Sequence, residues 1–398
     1  MPIVQTQSNV PAPTGAIPFS KSRASVTLDA VRGIAALLVF TDHWRHVFFL
    51  ELHELPAHRR LFFLPYVITA AGHAAVVIFF VLSGFLVGGS VTRALDRHRW
   101  SWKQYLTHRF VRLWIVLIPA LLLGVLWDHF TLRHVLRDPA HSNLFVLKAL
   151  LPEMLRSRNL PDFLANAAFL QHIRLPLAHV LIPTFGTNGA LWSLANEFWY
   201  YILFPCVLLA FRKGASLMER AAFALAFLLV ASFVGHAIFF LFPVWLCGVA
   251  LIYLPKISIH PRLRAFATIL YVIAFFLCVS IYHLKSNLSD ALLSLFTTAF
   301  LWAVLTDSTT PAPAGIKTQL PRGLARFSYT LYLVHMPLLY LITSFLVPGA
   351  GWTPNARTLA IAFAVWLSIL AYAWFIASLT EFHSDQVRSW VERRLGLA

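Results

Sequence analysis

Stretches of about twenty apolar residues recur from one end of this chain to the other, and nothing else limits its fold as strongly. Ten can be marked, at 30–50, 65–90, 110–130, 190–211, 220–236, 238–254, 265–284, 290–306, 325–347 and 357–380. In lipid every backbone N–H and C=O must find its partner inside the protein, so a run of this length crosses as a helix. The expected fold is all-α: a polytopic integral membrane helical bundle of about ten transmembrane helices.

Composition agrees. Of the 398 residues 59% are hydrophobic and 12% are charged, about half the charged share of a soluble domain. The formal net charge of +16 invites a nucleic-acid reading. The basic residues, however, lie between the apolar runs, where they set orientation in the membrane. The expected environment is therefore a lipid bilayer, with no nucleic-acid partner. With ten spans and both termini cytoplasmic, the inner side receives most of the 32 Lys and Arg residues. The weakest pair of spans is 220–254, where Gly235, His236 and Pro243 interrupt a long apolar stretch. Merging the pair would move the later basic clusters outside, so two spans are expected.

The domain reading follows. Residues 1–25, rich in Pro, Ser and Thr, read as a disordered cytoplasmic tail, 26–383 as the membrane domain and 384–398 as a cytoplasmic C-terminal tail. Within the membrane domain the extracytoplasmic segment 131–189 is too long for a bare connection and carries apolar patches at Asn143–Leu151 and Phe163–Leu170. A folded cap or re-entrant element is expected there. Cys206, Cys247 and Cys278 lie in or near apolar spans without zinc spacing, so they read as buried small hydrophobes and no metal site is expected.

Against this background the ionisable residues inside the runs stand out. Arg32 and His43 are eleven residues apart on the first run. At about 100° per residue they share one helix face, about 16 Å apart along the axis. Ionisable groups in a bilayer are costly and by default mark a pathway or a site. His43 lies about 20 Å from the inner end of its span, Glu197 about 10 Å from the outer end of the fourth, and His335 about 15 Å from the inner end of the ninth. These depths allow one shared polar cavity.

His43 reads as a general base, since imidazole accepts a hydroxyl proton near neutral pH. The competing reading is a histidine hydrogen-bonded to a neighbouring helix. Glu197 reads as a partner in catalysis or as a structural hydrogen-bonding group. His335, on residue type alone, weighs toward structure. Arg109 and Arg112 share a helix face at the inner mouth of the third span, where paired guanidinium groups suit phosphate or anchor to lipid headgroups. Ser83 and Gly84 read as a close helix contact. Trp192, Trp199, Tyr200 and Tyr201 read as an interfacial aromatic belt, on whose rings a sugar could stack.

Five stretches, in order, resemble the signature of the acyltransferase 3 family of integral membrane acyltransferases. They are Asp29-Ala-Val-Arg32 leading to His43, Val77 to Leu86 around Ser83-Gly84, the Arg109 and Arg112 pair before Pro119, Leu191 to Tyr200 with Phe204-Pro205, and Phe327 to Pro337. The usual Asp-Gly-x-Arg is here Asp29-Ala30-Val31-Arg32, a mild departure. The resemblance implies transfer of an acyl group, typically acetyl from acetyl-CoA, to a hydroxyl of an envelope or exported glycan at a bacterial inner membrane. It implies His43 as the catalytic residue with Glu197 in the active site, and Arg32, Arg109 and Arg112 as contacts of the acyl-CoA donor. Trp192, Tyr200 and His335 stand as candidate acceptor contacts, and no permanently bound cofactor is implied. A small-molecule acceptor such as a macrolide is the alternative within the family. A proton-coupled transporter is the alternative outside it, and no internal repeat favours that reading.

Overall fold

Peptide groups surrounded by hydrocarbon must be satisfied within their own segment, and the apolar runs do fold as helices. The computed structural model describes residues 18–55, 59–139, 143, 150–175, 180–255, 257–282 and 286–397. Its helices, in chain order, begin with α1 (Arg23–Phe48), α2 (Arg59–Thr69), α3 (Gly72–Asp96), α4 (Trp102–Arg137), α5 (Leu151–Ser157) and α6 (Leu160–Ala167). A two-stranded antiparallel hairpin of β1 (Arg174–Leu175) and β2 (Val180–Leu181) follows. Then come α7 (Leu191–Ala210), α8 (Leu217–Phe239), α9 (Phe242–Ala250), α10 (Pro261–Ile281) and α11 (Ser286–Leu305). The last are α12 (Ile316–Arg326), α13 (Ser328–Leu346), α14 (Ala356–Leu379) and α15 (Ser384–Arg394).

Among the described residues nine helical stretches are long and apolar enough to cross a bilayer. The all-α, polytopic membrane architecture is therefore as expected, but the run at 238–254 differs. Gly235 adopts φ 69° and ψ −177°, a conformation open to glycine, and breaks α8. The chain then enters α9, whose nine residues rise about 14 Å, less than half of a hydrocarbon core. The apolarity of α9 answers to burial against protein: Trp245 is fully buried and its indole donates to Ser83 Oγ at 3.1 Å. A Cβ on Gly84 would strike the Trp245 carbonyl oxygen, and one on Gly248 the Val81 carbonyl oxygen. The Ser83-Gly84 pair is thus a close helix contact, as its residue types suggested.

Contacts among the described residues gather into two compact units, one of Met1–Asp42, Arg60–Leu86 and Val244–Tyr329, the other of His43–Arg59, Val87–Pro243 and Thr330–Ala398. In the first, α10 and α11 form an antiparallel hairpin. His73 Nε2 there meets both Asp290 carboxylate oxygens, at 2.9 and 3.1 Å, and Gly33 sits against Leu324 and Ala325 of α12.

In the second unit α7 packs on α8, and α4 packs on α6 and α15. The segment 131–189 is folded where it is described. The carboxylate of Asp128, fully buried on α4, accepts the Thr187 backbone N–H at 3.0 Å and its hydroxyl at 2.6 Å. Asn166 donates to the Pro183 carbonyl and accepts from the Phe185 N–H. Most of the apolar patch 143–151 lies outside the described residues, as do residues 1–17 of the expected N-terminal tail. The remainder of that tail is ordered: Phe19–Lys21 is a 3-10 turn and α1 begins at Arg23. The expected C-terminal tail is largely the helix α15, tied to α4 by a His108–Glu392 contact and by Lys103 Nζ donating to the Leu395 carbonyl at 2.9 Å.

Candidate active site

Proline in two helices of the second unit creates the anchors of this site. Pro337 has no N–H, so the carbonyl of Leu333 one turn earlier in α13 loses its helical donor. Asn188 Nδ2 donates to it at 2.8 Å. Pro205 does the same to the carbonyl of Tyr201 in α7, and the Tyr105 hydroxyl of α4 donates to that oxygen at 3.0 Å. Each orphaned carbonyl becomes a fixed bond to another segment, and each lies within a turn of a candidate catalytic residue.

His43 lies in α1 and His335 in α13, and their side chains meet. His43 Nδ1 is 2.8 Å from His335 Nε2, with the rings stacked at 15° and 5.1 Å between centroids. His335 Nδ1 lies 2.8 Å from the Leu331 carbonyl oxygen, and the residue is 0% exposed. Leu331 O can only accept, so His335 carries its proton on Nδ1. In the neutral pair His335 Nε2 is then an acceptor, and His43 must donate from Nδ1. The remaining lone pair of His43 is thereby assigned to Nε2. A backbone carbonyl thus selects, through one imidazole, the tautomer of the next.

Tyr332 stands beside this pair. The ring of Tyr332 stands edge-on to His335 at 6.4 Å, and its hydroxyl lies 2.6 Å from Ser193 Oγ. Glu197, one turn beyond Ser193 on α7, accepts a hydrogen bond from the Tyr201 hydroxyl. The guanidinium of Arg109 lies over the rings of Tyr105 and Tyr201, at 5.4 and 5.6 Å. Arg109, Tyr201 and Glu197 therefore form one connected line. Among the described residues no carboxylate is paired with Arg109, and its buried Nε–H has no partner.

Arg112 is placed differently from its neighbour. Its Nη2 donates to Glu381 Oε1 at 2.9 Å, while Glu381 Oε2 accepts the Thr330 N–H at 3.0 Å and hydroxyl at 2.8 Å. Arg112 thus ties the start of α13 to α4, and the expected matched pair of phosphate contacts becomes one cation held by aromatic rings and one held by a carboxylate. Arg32 belongs to the first unit, where it meets Asp29 at 3.3 Å. Trp192 is half-buried in the first turn of α7.

One aromatic expectation is corrected. Tyr200 is 0% exposed, donates its hydroxyl to the Ile238 carbonyl at 2.7 Å and accepts from Asn196 at 3.2 Å. It holds α8 to α7 and presents no face on which a sugar could stack. Of the other rings in the expected belt, Tyr201 is buried, while Trp199 is half-buried and donates to the Phe169 carbonyl at 2.8 Å.

Sequence reasoning missed Tyr105, Asn188, Ser193, Tyr332 and Glu381. Only Glu381 carried a signal, as a lone acid closing the last apolar run. The acyltransferase 3 family model, described as an acyltransferase domain, matches residues 26–373. That span includes Arg32, His43, Arg109, Arg112, Glu197 and His335, while Glu381 and α15 lie beyond it. No curated protein and no solved structure matches the chain.

Proposed function

Because this chain belongs to the acyltransferase 3 family and is a multi-pass membrane protein, we propose that it transfers an acyl group, typically acetyl, from acyl-CoA to a hydroxyl of an envelope or exported glycan. The observation that carries the reading is the hydrogen-bonded line from the Leu331 carbonyl through His335 to His43. It supports a base whose accepting nitrogen is defined before substrate arrives.

In the proposed reaction His43 Nε2 takes the proton of the acceptor hydroxyl as its oxygen attacks the thioester carbonyl carbon. The Nδ1–H bond to His335 Nε2 becomes charge-assisted as His43 turns cationic, and so strengthens when needed. Collapse of the tetrahedral intermediate breaks the C–S bond, and His43 returns the proton to the leaving thiolate. Every proton is then accounted for, and no acyl-enzyme is required. Arg109 is the proposed donor contact, because its charge is not taken up by a described carboxylate. Glu197, joined to Arg109 through Tyr201, is proposed as the carboxylate of the active site. Arg112 is proposed as a positioning residue and Trp192 as an acceptor contact.

The basic clusters support a bacterial inner-membrane setting with both termini cytoplasmic, so that the polyanionic donor arrives from the cytoplasm. The test uses purified full-length chain in vesicles with acetyl-CoA labelled in the acetyl carbon and glycan from the producing strain. Label entering the glycan as an alkali-labile ester is the expected result. No label transfer to any hydroxyl acceptor, with solute accumulation in the same vesicles, would contradict it.

A further inference from the structure

The first unit contains a cavity that acyl transfer does not use. It lies among the N-terminal ends of α1 and α10 and the C-terminal end of α11, with a volume of about 220 Å³. Its polar wall is Arg23, Thr27, Arg264, Thr268 and Asp307, and Phe300 contributes to an apolar wall. These three helices are long and apolar enough to span the membrane, so their ends mark a membrane surface.

Donors and acceptors are both present. Arg264 Nη1 lies 2.9 Å from Asp307 Oδ1, and Arg23 Nε lies 3.9 Å from Oδ2. Asp307 is 6% exposed, so two cations surround one buried anion. Thr27 and Thr268 donate their hydroxyl protons to the carbonyls of Arg23 and Arg264, at 3.1 and 2.9 Å. Toward the cavity these hydroxyl oxygens can offer only lone pairs. An anion alone would meet Asp307, and an ammonium alone would meet two guanidinium groups. A ligand with a phosphate beside a primary ammonium satisfies both sets. Sites that enclose drug-sized molecules measure about 300–1,000 Å³, so this cavity suits a headgroup better than a nucleotide.

We propose that this cavity binds the headgroup of a phosphoethanolamine lipid. The phosphate sits on Arg23 and Arg264, the ammonium on Asp307 and the two threonine oxygens, and the glycerol lies toward Phe300. The site stands independently of the acyl-transfer reading.

The test is native mass spectrometry of the full chain in detergent with equal amounts of phosphatidylethanolamine, phosphatidylglycerol and phosphatidylcholine. Phosphatidylethanolamine is expected to be retained about tenfold over either competitor. Asp307→Asn removes the anion but keeps both cations, so the preference should invert and phosphatidylglycerol should lead. Arg23 is 52% exposed, so Arg23→Gln should fold normally and weaken phosphatidylethanolamine retention about tenfold. Equal retention of the three lipids by wild type, or no loss in Arg23→Gln, would overturn the proposal. Soluble O-phosphoethanolamine distinguishes the sources. Displacement of the lipid by an equal concentration of it would mean that the chains contribute nothing, and would overturn the lipid assignment.

Discussion

At the scale of single residues, the contact between His43 and His335 makes a prediction that packing alone does not. Glutamine can accept from His43 Nδ1 and donate to the Leu331 carbonyl, whereas leucine suits a buried apolar position but can do neither. His335→Gln should therefore keep a larger kcat than His335→Leu, by about tenfold, with the KM for acyl-CoA similar in both. If the two had equal kcat in folded protein, His335 would serve packing only. Arg109 and Arg112 make a second contrast. Arg109→Gln should raise the KM for acyl-CoA, while Arg112→Gln should act on stability, by about 3–5 kcal/mol, because it strands the buried carboxylate of Glu381. Thermal unfolding alongside initial rates separates the two. His43, Glu197 and Arg109 could be singled out from sequence because ionisable groups in apolar runs are conspicuous. Tyr105 and Tyr332 could not, since a tyrosine in a membrane helix looks the same whether it faces lipid or completes a hydrogen bond.

At the scale of elements, the two prolines explain why α7 and α13 can be held firmly although each loses a backbone bond. Asn188→Ala would leave the Leu333 carbonyl without its donor, at a cost of about 1–3 kcal/mol, and loosen the turn before His335. Activity should fall with stability in that variant, whereas Pro337→Ala restores a helical donor and makes position 188 tolerant. Measuring both singly and together gives the coupling. The contact of α3 with α9 behaves oppositely: Gly84→Ala drives a Cβ into the Trp245 carbonyl and should destabilise by about 1–3 kcal/mol. In the 131–189 segment, burial holds the His172 imidazole below its ordinary value near 6.5. The unfolded segment then binds a proton that the folded one refuses, so its stability should decline as pH falls below about 6.5 and be flat above it. Hydrogen exchange in that segment across pH 5–8 is the readout. Helix positions were legible because length and apolarity are sufficient for them. The shortness of α9 was not, since a helix buried in protein and one crossing lipid present the same apolar composition, and only the Gly235 backbone distinguishes them.

At the scale of the whole molecule, a family match over 26–373 and nine long apolar helices agree on a membrane acyltransferase. The proposed placement of both termini in the cytoplasm makes its own prediction: a reporter fused after Leu397 should read cytoplasmic, and an exported C-terminal reporter would contradict it. The helix α15 and Glu381 lie past the matched span yet bind α4 and α13, so the described C-terminal region braces helices that carry the candidate site. The central claim is that His43 removes the acceptor proton, and single-turnover release of CoA thiol on adding acceptor tests it most directly. His43→Ala should slow that release by about a hundredfold to ten-thousandfold while its unfolding temperature and acyl-CoA affinity stay near wild type. Release at the wild-type rate from folded His43→Ala would contradict the account.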